Sequence, residues 1–291
     1  MTQPRPYLVG LVGNGVTPSL TPAIHMAEAH ALGIEYVYRT IDLASLGLAP
    51  DELPDILRWA RRMGFDALNI THPCKRLVVE YIDRIDPLAA ALGSVNTVLF
   101  TDSGLVGHNT DTTGFETAFR AGLPGVDLEQ VTLLGAGGAG SAVADALLRA
   151  GTRRLTVVDI DDVRAAELAA ELARRHVVDV DFARPDDLPS LLATGSGLVH
   201  CTPTGMKEHP GIPVPAQLLR PDLWVADIVY RPLDTELLRA ARDAGCQTLD
   251  GGRMAVHQAV DAFRLITGQN PDPDRMIRHF HDLVAPHDVL I

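Results

Sequence analysis

The stretch VTLLGAGGAGSAVADALL, residues 131–148, decides the fold. It opens as a short apolar strand, turns through Gly135, Gly137 and Gly140, and continues as a helix rich in Ala and Leu. The glycine spacing alone would fit any loose turn. Flanked by a strand and a helix, it is the fingerprint of a dinucleotide-binding βαβ unit. Gly135 permits the tight turn, Gly137 lets backbone approach a pyrophosphate, and Gly140 lets the helix lie close to the strand. Ala136, Gly138 and Ala139 complete the loop, and the N–H groups of the helix start face the phosphates.

Outward from this loop, apolar runs alternate with helical patterns. YLVGLVG precedes 22–32, ALNIT precedes a helix expected near 77–82, and LTVVD precedes 163–174. GLVHC, LWVADIV and a helix over 235–243 follow, then two helices at about 255–266 and 273–284. The alternation predicts an α/β fold with mostly parallel strands. Loop-like stretches at GHNTDTTG and at DGGRM (250–254) divide the chain into residues 1–112 plus 254–291, a substrate domain, and 113–253, a Rossmann-type domain. The last two helices are expected to return to the first domain, leaving a cleft between the halves.

Composition narrows the partners. With 37 acidic residues against 25 Lys and Arg, the net charge of −12 disfavours nucleic acid and anionic membranes and leaves a small molecule. The N-terminus carries neither the basic segment nor the long apolar run of a signal peptide, so a cytoplasmic location is expected. Cys74, Cys201 and Cys246 are far apart, and His279 and His281 would point to different sides of a helix; no metal site is expected.

VVDIDD, residues 157–162, sets three carboxylates at the end of the second strand of the nucleotide domain. An acid at Asp159 accepts hydrogen bonds from adenosine ribose hydroxyls, which selects NAD over NADP. Asp161 has two readings, repelling a 2′-phosphate or beginning the next helix, whereas Asp162 reads as a helix cap. Arg164, one turn into that helix, lies near the same edge but faces two carboxylates.

GFDALNITHPCK ends in Lys75 after a strand and a Pro turn, and GHNTDTTG supplies Asn109 and Asp111 at the inferred boundary. Alone, Lys75 reads as a solvent lysine; a Lys and an Asp facing one cleft can relay a hydroxyl proton. Together with SLTP (19–22), GSVNTV, CTPTGM (201–206), DIVYRPLDT and DGGRMAVHQ, these stretches resemble the shikimate dehydrogenase family, in its order, from about residue 10 to 268.

The resemblance implies a two-domain enzyme moving hydride between a nicotinamide and a ring hydroxyl of shikimate or quinate, and matches Lys75 and Asp111 to the catalytic pair. Ser19 and Thr21 match the substrate-carboxylate positions, and Thr71, Asn96 and Gln258 the hydroxyl positions. Tyr230 matches a substrate-lining position, and Cys201, Thr202, Val229, Gly251 and Met254 the cofactor side. Plainer roles remain for several: a helix cap for Thr21, a turn for Asn96, a polar helix position for Gln258, and packing for Tyr230 and Met254.

Three departures matter. Asp159, Ile160 and Asp161 stand where NADP-using members carry an Asn-Arg-Thr type stretch, Ser-x-Thr replaces Ser-x-Ser, and His200 replaces an Asn. The first two resemble the branch that oxidises quinate and shikimate with NAD. An aminoshikimate dehydrogenase and a non-catalytic quinate or dinucleotide sensor on the same fold are the alternatives, and the chain could be a monomer or a homodimer.

Overall fold

The computed structural model describes residues 5–288. The backbone divides into two compact units, Met1–Thr110 with Val256–Ile291, and Asp111–Ala255.

The first unit carries strands β1 (Tyr7–Gly13), β2 (Tyr36–Asp42), β3 (Ala67–Ile70), β4 (Arg84–Ile85), β5 (Thr97–Thr101) and β6 (Gly104–His108). Its helices are α1 (Thr21–Ala31), α2 (Leu43–Leu46), α3 (Leu53–Arg62), α4 (Cys74–Leu77) and α5 (Pro87–Leu92). The sheet order is β2-β1-β3-β5-β6-β4. β1 pairs in parallel with β2 and β3, but β5 runs antiparallel to both β3 and β6. The sheet is therefore mixed, with β5 alone running against strands that are otherwise parallel, as expected. The cause is the tight hairpin at Asp102 and Ser103, which admits no crossover helix.

Side chains alternate across this sheet. Val12, Leu68 and Ile70 pack on Leu53, Leu57 and Ala60 of α3, while Val9, Leu11 and Ala67 face the opposite layer with Tyr38. α3 forms because Leu53, Leu57 and Ala60 share one face, with a Pro in the first turn and Arg61 and Arg62 in the last. The helix expected at 77–82 is instead α4 followed by a 3₁₀ turn over Val78–Tyr81. Its only buried residues, Cys74 and Val78, recur too sparsely to hold a longer α-helix.

The second unit contains α6 (Asp111–Gly122), β7 (Gln130–Leu134), α7 (Gly138–Ala150), β8 (Arg154–Val158), α8 (Asp162–Arg175) and β9 (Asp179–Ala183). Then come α9 (Leu188–Thr194), β10 (Gly197–His200), β11 (Trp224–Asp227), α10 (Glu236–Asp243) and β12 (Gln247–Leu249). Its six strands are all parallel, in the order β12-β11-β10-β7-β8-β9. Both faces are covered. Leu133, Val157 and Val199 pack with α6, α7 and α8, whereas their neighbours Leu134, Val158 and Leu198 pack with α9 and α10. Near-continuous apolar strands are what a doubly covered parallel sheet requires.

α11 (Gly251–Thr267) begins in the second unit, and its residues from Val256 onward belong to the first, as does α12 (Pro273–Asp288). α12 packs on α1 through a fork: Arg275 donates from Nε to Glu28 Oε2 at 2.8 Å and from Nη2 to Oε1 at 2.6 Å. The Asp272 N–H adds a third bond to Oε1, so the wholly buried Glu28 carboxylate is compensated. Among the described residues no helix is long and apolar enough to cross a membrane.

Candidate active site

Of the residues that the resemblance matches to the site, Thr71, Lys75 and Asn96 lie at one end of the first unit's sheet. β1 ends at Gly13, where a side chain would meet Thr71 Cγ2 at 2.4 Å and the His72 carbonyl at 2.8 Å. Only glycine lets the two loops lie this close. Thr71 follows β3 and donates its N–H to Val12, and the Asn14 N–H reaches the His72 carbonyl. Lys75 sits half-buried in α4. Its carbonyl accepts the Val95 N–H at 2.9 Å, and the Ile70 N–H reaches the Asn96 carbonyl at 2.8 Å. Thr71, Lys75 and Asn96 are thus carried by adjoining backbone.

Ser19 and Thr21 stand half-buried at the start of α1. Thr21 does not cap the helix. Leu20 already has helical angles and forms the N-cap without a side-chain bond, so Thr21 is the first helical residue. Its N–H goes to Ser19 Oγ at 3.3 Å, which leaves the Thr21 hydroxyl outside the cap.

Two supports had no sequence signal. Asp42, 5 % exposed at the end of β2, accepts from the Gly15 and Thr17 N–H groups and from Thr17 Oγ1 at 2.7 Å, fastening the loop that leads to Ser19. The Thr17 hydroxyl bond, with the backbone bonds from Thr17, Gly15 and Ser45, holds its carboxyl down at about 2. Asn96 is fixed by a buried network. Its Oδ1 accepts from the Thr110 N–H and Thr97 Oγ1, and its Nδ2 donates to Thr110 Oγ1 at 2.9 Å. Asn69 donates to Thr97 Oγ1 and accepts from Tyr38 OH at 2.6 Å, extending the network to β2. Asn109 is pinned separately through Nδ2 to the Ser94 carbonyl. Gln258 lies half-buried on α11.

In the second unit, Asp111 is the buried first residue of α6, where a helix N-terminus favours negative charge. The glycine loop has the geometry its sequence asks for. Gly135 takes φ +100°, and a Cβ on Gly140 would lie 1.9 Å from the Gly135 carbonyl oxygen. Gly137 is exposed, and a Cβ there would meet nothing within 4 Å. It caps α7 without a side chain, so the first-turn N–H groups of Gly138, Ala139 and Gly140 suit an anion.

Asp159 follows β8 directly. Its Oδ2 accepts the Ala136 N–H of the glycine loop at 2.7 Å, and its Oδ1 accepts the Asp161 N–H at 3.0 Å. Each carboxylate oxygen keeps a lone pair for a ribose hydroxyl. Asp161, not Asp162, caps α8: its Oδ1 takes the Val163 and Arg164 N–H groups, both at 3.1 Å. Asp161 alone has the extended backbone an N-cap needs, and Asp162 pairs instead with Arg184 at 2.7 Å. Arg164 bonds Asp161 at 3.2 Å and lies 3.9 Å from Asp159, so its charge is already met by carboxylates.

At the other side of the loop, the Cys201 N–H reaches the Leu134 carbonyl, and Cys201 and Thr202 abut Gly135. Burial, reinforced by the Asp227 charge, pushes the Cys201 thiol well up. Gly251 packs against the carbonyls of Ile228 and Val229, closer than any side chain would allow. Met254 packs on the core of the same unit, and Tyr230 is half-buried beyond β11. These donors, glycines and the acid at the strand edge fit a pyridine dinucleotide.

Comparison with known proteins agrees. Residues 11–98 match the model of the shikimate dehydrogenase substrate binding domain, and residues 115–179 match that of the ThiF family. The chain is 58% identical over 287 residues to a shikimate dehydrogenase (NADP(+)) of Streptomyces avermitilis, covering 98% of each. It is 46% identical over 281 residues to a quinate/shikimate dehydrogenase (NAD(+)) of Corynebacterium glutamicum, covering 95% of this chain and 98% of that one. The solved quinate dehydrogenase of Corynebacterium glutamicum in complex with NAD superposes with a TM-score of 0.89 at 44% identity, covering 95% of this chain and 99% of that one. On these grounds the chain belongs to the shikimate dehydrogenase family, as a pyridine-nucleotide oxidoreductase of the shikimate/quinate dehydrogenase type.

Proposed function

We propose that this enzyme interconverts shikimate with 3-dehydroshikimate, or quinate with 3-dehydroquinate, using NAD in preference to NADP. The observation that carries the preference is the Asp159 carboxylate, held against the glycine loop through the Ala136 N–H and backed by Asp161. A 2′-phosphate beside these charges is repelled, and Arg164 has no uncommitted charge to offset it. Relatives of both kinds are similar: the Streptomyces protein carries NADP(+) in its name and the Corynebacterium protein NAD(+). Overall identity averages over the whole chain, whereas the cofactor's ribose meets a few residues at one strand edge.

In this reading the first unit holds the cyclic hydroxy acid and the second the dinucleotide. The Ser19 and Thr21 hydroxyls bind the substrate carboxylate at the start of α1, and Thr71, Asn96 and Gln258 bind its ring hydroxyls. Tyr230 lines the substrate. When bound, the nicotinamide supplies the hydride acceptor. Lys75 takes the proton of the reacting hydroxyl as the ring carbon becomes a ketone, and Asp111 orients the amine and the hydroxyl. In reduction the Lys75 ammonium returns that proton to the ketone oxygen. The test is NADH formation by the purified chain with shikimate and with quinate in turn. Turnover of either supports the reading, and turnover of neither with NAD or NADP overturns it.

A further inference from the structure

His200, at the end of β10, is wholly buried and sits in register with Asp227 at the end of β11. Its Nδ1 lies 2.9 Å from Asp227 Oδ1, and its Nε2 lies 2.5 Å from Thr202 Oγ1. A carboxylate only accepts, so Nδ1 carries the proton; in the neutral ring Nε2 then accepts from the Thr202 hydroxyl. Asp227 is 2 % exposed and accepts on both carboxylate oxygens. Its Oδ1 also accepts the Val229 N–H at 3.0 Å, and its Oδ2 accepts from Thr235 Oγ1 at 2.7 Å, the side chain that caps α10. One carboxylate therefore ties together the turn after β10, the turn after β11 and the start of α10.

The strand order says which part of a ligand these turns meet. The glycine loop follows β7, with β8 and Asp159 on one side of it and β10 and β11 on the other. A dinucleotide with its pyrophosphate on the loop and its adenosine ribose on Asp159 lays its nicotinamide nucleoside over β10 and β11. Thr202 and Val229 belong to that second half.

We propose that Asp227, His200 and Thr202 form a positioning relay that fixes the turns after β10 and β11 for the nicotinamide half of the cofactor. The relay rests on reading this unit as the dinucleotide site. Both turns are irregular backbone at the carboxyl ends of the interior strands β10 and β11. A buried His on a buried Asp has one allowed orientation, and through the Thr202 hydroxyl it transmits that orientation to the turn. His200 touches no reacting atom here and acts through Thr202.

The test is calorimetric binding of two probes to wild-type, Thr202→Val and Thr202→Ser chains. One probe is the reduced cofactor, NADH or NADPH, that the wild type binds more tightly; the other is ADP-ribose or its 2′-phosphate, which lacks nicotinamide. Thr202→Val should weaken the reduced cofactor by about tenfold, as expected for one lost hydrogen bond to a buried partner, and leave the ADP-ribose probe within about twofold. Thr202→Ser, which keeps the hydroxyl, should restore binding of the reduced cofactor. Equal weakening of both probes, or a Thr202→Val chain that binds the reduced cofactor like wild type, would overturn the relay. A wild-type chain that binds neither NADH nor NADPH overturns the dinucleotide reading beneath it.

Discussion

Replacing Asp159 with Ser removes the charge that faces the adenosine ribose. Its side chain is 8% exposed, whereas that of Asp161 is 44% exposed. At a separation of about 5 Å, one charge on a 2′-phosphate meets a carboxylate with about 0.8 kcal/mol of repulsion in water and about 3.3 kcal/mol at an effective dielectric of 20. Counting a single phosphate charge, the range is about 1 to 3 kcal/mol, or about 5- to 150-fold in the cofactor ratio. The low exposure of Asp159 puts its share in the upper part of that range and the Asp161 share in the lower. Losing the carboxylate also strips the Ala136 N–H of its partner, which loosens the glycine loop for both cofactors alike. The quantity to read is therefore the ratio of kcat/KM for NAD to that for NADP, from initial rates with shikimate. Asp159→Ser should lower it by at least about tenfold. Asp159→Asn, which keeps an oxygen for the Ala136 N–H, should lower it in the same direction with less loss of absolute rate. A folded Asp159→Ser chain with an unchanged ratio would refute the reasoning.

Lys75→Ala should reduce kcat by about 10² to 10⁴ while dinucleotide affinity, measured by titration, stays near wild type. Asp42→Asn should weaken folding above pH 4. A carboxyl lowered to about 2 when folded stabilises fully above its unfolded value and loses that contribution as pH falls through the folded one. Denaturant unfolding should therefore show the wild-type advantage shrinking between about pH 4 and 2; a gap independent of pH would count against the Thr17–Asp42 bond. Arg275→Ala strands the buried Glu28 carboxylate and should cost about 3 kcal/mol in thermal or denaturant unfolding. Glu28→Leu combined with Arg275→Met should be milder than Arg275→Ala alone, and the reverse order would contradict the buried-pair account.

What was legible in the sequence had local causes. The glycine loop, β7 and α7 announce themselves because apolar strand, positive-φ glycine and helix follow one another within 20 residues (131–150). The β5–β6 hairpin has no local signal: its turn residues, Asp102 and Ser103, lack the Asn-Gly or Asp-Gly pattern, and Gly104 lies in the strand that follows. β9, an edge strand, does carry a period-two signal: Val178, Val180 and Phe182 alternate with Asp179 and Asp181, and Val178 and Val180 pack on the core. Asp42 and Asp227 escaped for another reason. Their partners lie 25 to 27 residues away along the chain, and only the parallel register of the sheets brings them together. His200 was visible as a departure from the family pattern, but its role depends on a neighbour in the next strand. The caps expected at Thr21 and Asp162 lie one residue earlier, at Leu20 and Asp161, a shift that capping chemistry alone does not resolve.

The most direct test of the account is the wild-type enzyme's kcat/KM for NAD relative to NADP, measured at saturating shikimate and repeated with quinate. The Asp159 edge predicts a ratio of at least about ten in favour of NAD. A ratio at or below unity would contradict the central claim and assign the chain to NADP-linked reduction.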